Sequence, residues 1–233
     1  MKREEYIEKT LHLYTLVAAL SQKNGCEVLR LRNKKTGKDL VLRSFPQPLP
    51  AYEKLQHIRC ANIPEIYDVL EMDEGQIVLE EYIDGITVAQ VMEINKYLSA
   101  GARKVLSSVC DALAVLHSCG IIHRDVKPEN VMIENSGRVV LIDFNASRME
   151  SSASKDTVIM GTVGYAPPEQ LGLSQTDART DIYAAGVLYN VMLTGQHPSV
   201  TIASGKAGKI VRKCTAVNPD ERYQTAAELW AAL

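Results

Sequence analysis

The stretch that most constrains this chain is Ile121-Ile122-His123-Arg124-Asp125-Val126-Lys127-Pro128-Glu129-Asn130-Val131-Met132-Ile133. Two short β-branched runs, Ile121-Ile122 and Val131-Met132-Ile133, read as buried strands, and they bracket a segment dense in ionisable and amide side chains. An unpaired carboxylate between buried elements is costly, so Asp125 needs either a cation beside it or work to do. Lys127 and Arg124 supply cations, and Asn130 supplies an amide able to ligate a metal ion. The bland alternative is a polar turn between two strands.

The rest of the chain supplies a context for that stretch. Residues 3–12 place apolar side chains near helical spacing, and Leu13 to Leu20 reads as a strand. Cys26 to Arg32 alternates apolar with polar, a turn follows over residues 33–38, and Leu40 to Phe45 makes the next strand of an antiparallel meander. The prolines at 46, 48 and 50 bar a helix before Pro50 and leave room for one only from Ala51 to about Arg59. Tyr67 to Met72 and Gln76 to Tyr82 flank the acidic turn Asp73-Glu74-Gly75, a hairpin signal. Beyond them the pattern turns helical. Ser99 to Ser118 carries Ala102, Val105, Leu106, Val109, Ala112, Leu113 and Leu116 on one face, with Ser99 suited to the N-cap and Gly120 to the C′ position. Cys110 and His117 on that helix read as structural. Val139 to Ile142 is a buried strand that delivers Asp143-Phe144-Asn145, and further helices are expected over Asp177 to Thr194 and Thr225 to Leu233.

Composition excludes several classes of function. With 26 Lys and Arg against 28 Asp and Glu, the net charge of −2 gives no field favouring nucleic acid or an anionic membrane. Cys26, Cys60, Cys110, Cys119 and Cys214 are odd in number and lack C-x-x-C spacing, which argues against a disulfide framework or a zinc site. A reducing compartment is expected. No run approaches the roughly 18 apolar residues of a membrane span, and no signal-like segment opens the chain. The chain as given is expected to be cytoplasmic, and a longer native protein could carry an anchor after Leu233.

His123-Arg124-Asp125-Val126-Lys127-Pro128-Glu129-Asn130 resembles the H-R-D-L-x-x-x-N catalytic loop of the eukaryotic-type (Hanks-type) Ser/Thr protein kinases. Asp143-Phe144-Asn145 resembles their D-F-G, and Gly161-Thr162-Val163-Gly164-Tyr165-Ala166-Pro167-Pro168-Glu169 resembles the loop that ends in A-P-E. The resemblance implies an α+β, bilobal protein-kinase-like fold, with a small, mainly antiparallel β N-lobe and a larger, mainly α-helical C-lobe. It implies a single domain over residues 1–233, with the N-lobe at about 1–82, a hinge at about 81–85 and the C-lobe at about 86–233.

By the same resemblance Asp125 would accept the proton of the substrate hydroxyl and Lys127 would neutralise charge on the phosphate in flight. Asn130 and Asp143 would hold Mg²⁺, or Mn²⁺ in its place, against the phosphates of ATP. Backbone groups from Glu81 to Ile83 would meet adenine, Arg43 would contact the α and β phosphates, and Thr162 would contact Asp125 and Lys127. Asp181 would tie its helix to the catalytic loop, and Arg222 would pair with Glu169. Ser147, Ser151, Ser152, Ser154 and Thr157 lie in a candidate activation segment.

Three departures from the family carry chemical consequences. If Val28 is the valine of G-x-G-x-x-G-x-V, the glycine positions hold Ser21, Lys23 and Cys26, so close backbone approach to phosphate is not assured. Arg43, fifteen residues after Val28, stands in the lysine slot of V-A-I-K, and arginine is no interchangeable replacement for lysine. The helix glutamate that orients that lysine is replaced by Ala51; Glu53 lies two residues on, about 200° around a helix. Glu80 falls at the gatekeeper position and needs a partner, Arg43 or water. At Asn145, asparagine stands for glycine and tolerates a left-handed backbone better than most residues.

The leading expectation is a protein kinase acting on Ser or Thr of a protein substrate. The alternative is a pseudokinase, a nucleotide-binding or scaffold module. Transfer to a small molecule is a third reading, disfavoured by the Gly-Thr-x-Gly-Tyr and P-P-E segments.

Overall fold

The computed structural model describes residues 6, 9–10, 12–23, 25–73, 75–95, 101–150, 164–171 and 176–233. The chain divides into two compact units, residues 1–59 with 64–83, and residues 60–63 with 84–233. An antiparallel sheet makes up the first and helices dominate the second, an α+β composition.

In the first unit, strands β1 (Tyr14–Lys23), β2 (Cys26–Asn33), β3 (Asp39–Phe45), β4 (Ile66–Met72) and β5 (Gly75–Glu81) form a sheet of order β1-β2-β3-β5-β4. Alternation places Leu29, Leu31, Leu40, Leu42, Ile77 and Leu79 on one face as a core cluster. Strands β1 and β2 pair as far as Lys23 opposite Cys26, so residues 24 and 25 alone make the connection, with Gly25 at a φ of 77°. Gly75 is fixed by packing: an added Cβ would lie 1.9 Å from the carbonyl oxygen of Phe45. The described residues of the expected N-terminal helix, Tyr6, Lys9, Thr10 and His12, are helical; Leu13, expected to open the strand, is helical as well, and β1 starts at Tyr14.

The helix that follows the proline run, α1 (Pro50–Leu55), stops four residues short of the expected Arg59. It turns Ala51, Tyr52 and Leu55 inward, with Tyr52 stacked at 5.4 Å from Phe45, and exposes Glu53 and Lys54. One turn of apolar contact is all this segment offers the sheet, so nothing extends the helix further.

The second unit begins with residues 60–63, which the Asn62 amide ties to the carbonyl of Val139 at 2.7 Å. Helices α2 (Val88–Asn95), α3 (Ala102–Ser118), α4 (Ala178–Thr194), α5 (Gly205–Cys214) and α6 (Ala226–Ala232) pack with short strands β6 (Gly85–Thr87), β7 (Ile121–Ile122), β8 (Val131–Glu134), β9 (Val139–Leu141) and β10 (Arg148–Met149). Every apolar residue expected on the inner face of α3 is buried. Its N-cap is Gly101; the expected Ser99 lies outside the described residues. Gly120, at a φ of 69°, follows its C-terminus as expected.

The N-cap of α4 is Asp177, and Gly195 closes the helix in the left-handed conformation. At Gly186 an added Cβ would lie 2.2 Å from the Cβ of Cys214, so glycine is what lets α4 and α5 approach. All five cysteines are free.

Candidate functional site

Strands β7 and β8 bracket residues 123–130, and one carboxylate from α4 holds that loop by its main chain. Asp181 is fully buried and accepts the N–H groups of His123 and Arg124, each at 2.8 Å, and a 2.8 Å contact from Nε2 of His117. Burial alone would push its carboxyl up. The hydrogen bond and charge of His117, with His123 beside it, nonetheless hold Asp181 below the usual carboxylate value. Arg124 adopts a left-handed φ of 63° between these bonds, its Nε donates to the carbonyl of Ala146 at 2.7 Å, and Gln170 donates to its carbonyl at 2.7 Å. His117 is structural, as expected, but its part is specific: it is a side-chain partner of the residue that fixes the loop.

With the main chain set, three side chains converge. Lys127 Nζ lies 2.7 Å from Asp125 Oδ2, and Asn130 Nδ2 donates to the same oxygen at 2.8 Å and to the Asp125 carbonyl at 2.9 Å. Asn130 is buried, while the Asp125 and Lys127 side chains keep 15% and 19% of their exposure, so the pair stays open to a reactant. Because Nδ2 is committed to Asp125, a cation ligated by Asn130 takes the other end of the amide, Oδ1.

Asp143 enters from β9. Val131 pairs with Leu141 and the Ile142 N–H donates to the Asn130 carbonyl at 2.8 Å, so Asn130 and Asp143 stand at the same end of the β8–β9 hairpin. Both offer oxygen, the donor set of a hard divalent cation. Phe144 is fully buried with its ring 5.2 Å from that of His123.

The backbone here corrects one expectation. The left-handed residue is Asp143, at a φ of 67°, and among the described residues Asn145 has no such conformation. Asparagine is therefore not used for its tolerance of that region. Its Oδ1 is instead buried without a hydrogen-bond partner among the described residues.

Arg222 pairs with Glu169 as expected, through Nη1 at 2.5 Å and Nη2 at 3.0 Å, and its remaining donors go to the carbonyls of Ala216, Val217 and Arg179. This buried fork staples the end of the A-P-E segment itself to the C-terminal part of the unit. Thr162 lies outside the described residues, as do Ser151, Ser152, Ser154 and Thr157. Ser147 is described, and its hydroxyl donates to the carbonyl of Phe144 at 2.5 Å.

In the first unit Arg43 is 8% exposed and its Nε lies 2.6 Å from Oε1 of Glu80, which is 3% exposed. Of the partners considered for Glu80, the structure supplies Arg43. Glu53 is exposed and forms no ion pair with Arg43. The Glu81 N–H donates to the Glu65 carbonyl at 2.8 Å, and the Ile83 side chain is buried. The expected glycine positions Ser21, Lys23 and Cys26 all lie within paired strands. Sequence reasoning had no signal for the β1–β2 pairing reaching so far, except the Asn24-Gly25 dipeptide.

Comparison with known proteins finds relatives of this chain. The protein kinase domain family matches residues 28–231. The chain is similar to a probable serine/threonine-protein kinase PknB of Lactococcus lactis, 34% identical over 171 residues that cover 72% of this chain and 27% of the relative. It is similar to the serine/threonine-protein kinase PknB of Mycobacterium tuberculosis, 32% identical over 213 residues, 76% of this chain and 34% of the relative. Serine/threonine-protein kinase D of Synechocystis is 29% identical over 225 residues, 86% of this chain and 44% of the relative. The chain thus spans less than half the length of these curated relatives. Among the described residues no helix is long and apolar enough to cross a membrane.

Proposed function

Because the chain belongs to the protein kinase domain family, we propose that it transfers the γ-phosphoryl group of ATP to a serine or threonine hydroxyl of a protein. The observation that carries this reading is the convergence of Asp125, Lys127 and Asn130 on a loop fixed by its main chain. Asp125 takes the proton of the acceptor hydroxyl. Lys127 offsets negative charge on the phosphoryl group in transit, and Asn130 Oδ1 with the Asp143 carboxylate holds Mg²⁺ or Mn²⁺. When bound, the metal supplies charge neutralisation on the phosphates. Arg43 meets the α and β phosphates, the main chain at Glu81 and Ile83 meets adenine, and Thr162 meets Asp125 and Lys127; these roles follow the family resemblance. Reaction of this type depends on positioning and electrostatics more than on covalent chemistry by the protein, which is what a rigidly held loop provides. The five free cysteines agree with a cytoplasmic setting.

A second reading, a nucleotide-binding or scaffold module without turnover, is favoured by one observation. Strands β1 and β2 stay paired to Lys23 and Cys26, so side chains stand where the family keeps glycine to admit phosphate. Purified protein incubated with radiolabelled ATP, a divalent ion and a generic protein acceptor separates the two. Label on Ser or Thr, reduced by about 10²- to 10⁴-fold in Asp125→Asn, is the outcome expected of the enzyme. Nucleotide binding with no incorporation under Mg²⁺ or Mn²⁺ selects the scaffold.

A further inference from the structure

Arg43 and Glu80 sit on the sheet face opposite the leucine cluster. Arg43 stands across from Val28 on β2 and Val78 on β5, while Glu80 stands across from Val41 on β3 and Ile66 on β4. They are therefore diagonal neighbours on adjacent strands, close enough for long side chains to meet. With apolar residues on every opposing position, neither charge is tolerable without its counter-charge. The 2.6 Å contact between Nε and Oε1 supplies it. The segment that in kinases brings a glutamate toward this place brings Ala51 inward here and leaves Glu53 exposed.

We propose that Glu80 is the positioning residue for Arg43, so that the acid which orients this phosphate-facing cation stands on the neighbouring strand of the same sheet. The inference deepens the kinase reading and rests on it. Its consequence is regulatory. Neighbouring strands locked in a hydrogen-bonded register do not slide when a surface helix shifts, so the orientation of Arg43 is independent of α1.

The test compares the full chain with Glu80→Gln, Arg43→Lys, the double variant and Glu53→Ala, measuring kcat and KM for ATP, the Kd for MgATP by calorimetry, and melting temperature. Glu80→Gln is expected to lower kcat at least tenfold per folded molecule and to weaken MgATP binding. Arg43→Lys keeps a cation for Glu80 to orient, so the double variant is expected to fall below Arg43→Lys alone. Glu53→Ala is expected to match the wild type within twofold. Should Glu80→Gln not fold, Glu80→Asp keeps the charge but withdraws it by one methylene, and a smaller loss of kcat is expected. A folded Glu80 variant with a lowered melting temperature but wild-type kcat and MgATP affinity would overturn the proposal, as would a tenfold loss in Glu53→Ala. A wild type that binds MgATP without turnover sinks the kinase reading alone, since the affinity comparison still decides the role of Glu80. A wild type that binds no MgATP removes both.

Discussion

In the helical unit, the loop that carries Asp125 is fixed through its main chain, by a buried carboxylate fifty-six residues further along that accepts two consecutive N–H groups. In the sheet unit, Arg43 is fixed through its side chain, by a second side chain on the next strand. The first device leaves loop side chains such as Asp125 and Lys127 to be chosen for chemistry, because their backbone is held whatever they are. The second ties two identities together: neither Arg43 nor Glu80 can change alone without leaving a buried charge.

The contrast can be attacked by removing each anchor. Asp181→Leu leaves two main-chain donors and His117 without their acceptor, at about 1–3 kcal/mol per group, for a loss of about 3–9 kcal/mol in urea unfolding. Adding His117→Leu should recover little, because the main-chain donors remain; recovery to within about 1 kcal/mol of wild type would erase the distinction. Glu80→Leu should cost about 3–5 kcal/mol by stranding Arg43, and here adding Arg43→Met should restore stability to within about 1 kcal/mol, measured the same way.

Acid gives a smaller effect with a definite sign. The Asp181 carboxyl is held below its ordinary value in the fold, so its contribution to stability is complete above a pH of about 4 and fades as pH falls through the depressed value. Equilibrium unfolding followed below pH 4 should lose its steepest part in Asp181→Asn, by up to about 1.4 kcal/mol per pH unit for one proton. Smallest of all, Glu53→Ala should shift unfolding by less than about 0.5 kcal/mol, because an exposed side chain with no ion pair among the described residues has little to lose. A larger shift would mean that α1 shares in anchoring the sheet's charge.

What the sequence made legible follows the same divide. Residues 121–145 could be read nearly to the residue, since strand, loop and strand are contiguous and each local preference agrees with the packing. Asp181 and Arg222 are legible only through the family resemblance, and both meet the partners it implies. The Arg43–Glu80 contact was only one of two options for Glu80, because a diagonal pair across strands depends on register, which hydrophobic alternation fixes only to within two residues. The end of the helix after Pro50 is not legible, because nothing local marks the point where apolar contact with the sheet ends. The conformation of Asn145 was misplaced by two residues, since propensity names residues that accept a left-handed backbone but not which one the fold requires to take it.

The stretch from Asp143 to Asn145 carries two local costs, a non-glycine residue in the left-handed region and a sequestered amide oxygen with no donor among the described residues. Neighbouring β9 has no such frustration. Opening should therefore begin at this joint, with the amides of Asn145 and Ala146 exchanging their hydrogens for deuterium well before those of Val140 and Leu141. The segment proposed to grip a metal ion is thus also ready to let go of its own conformation.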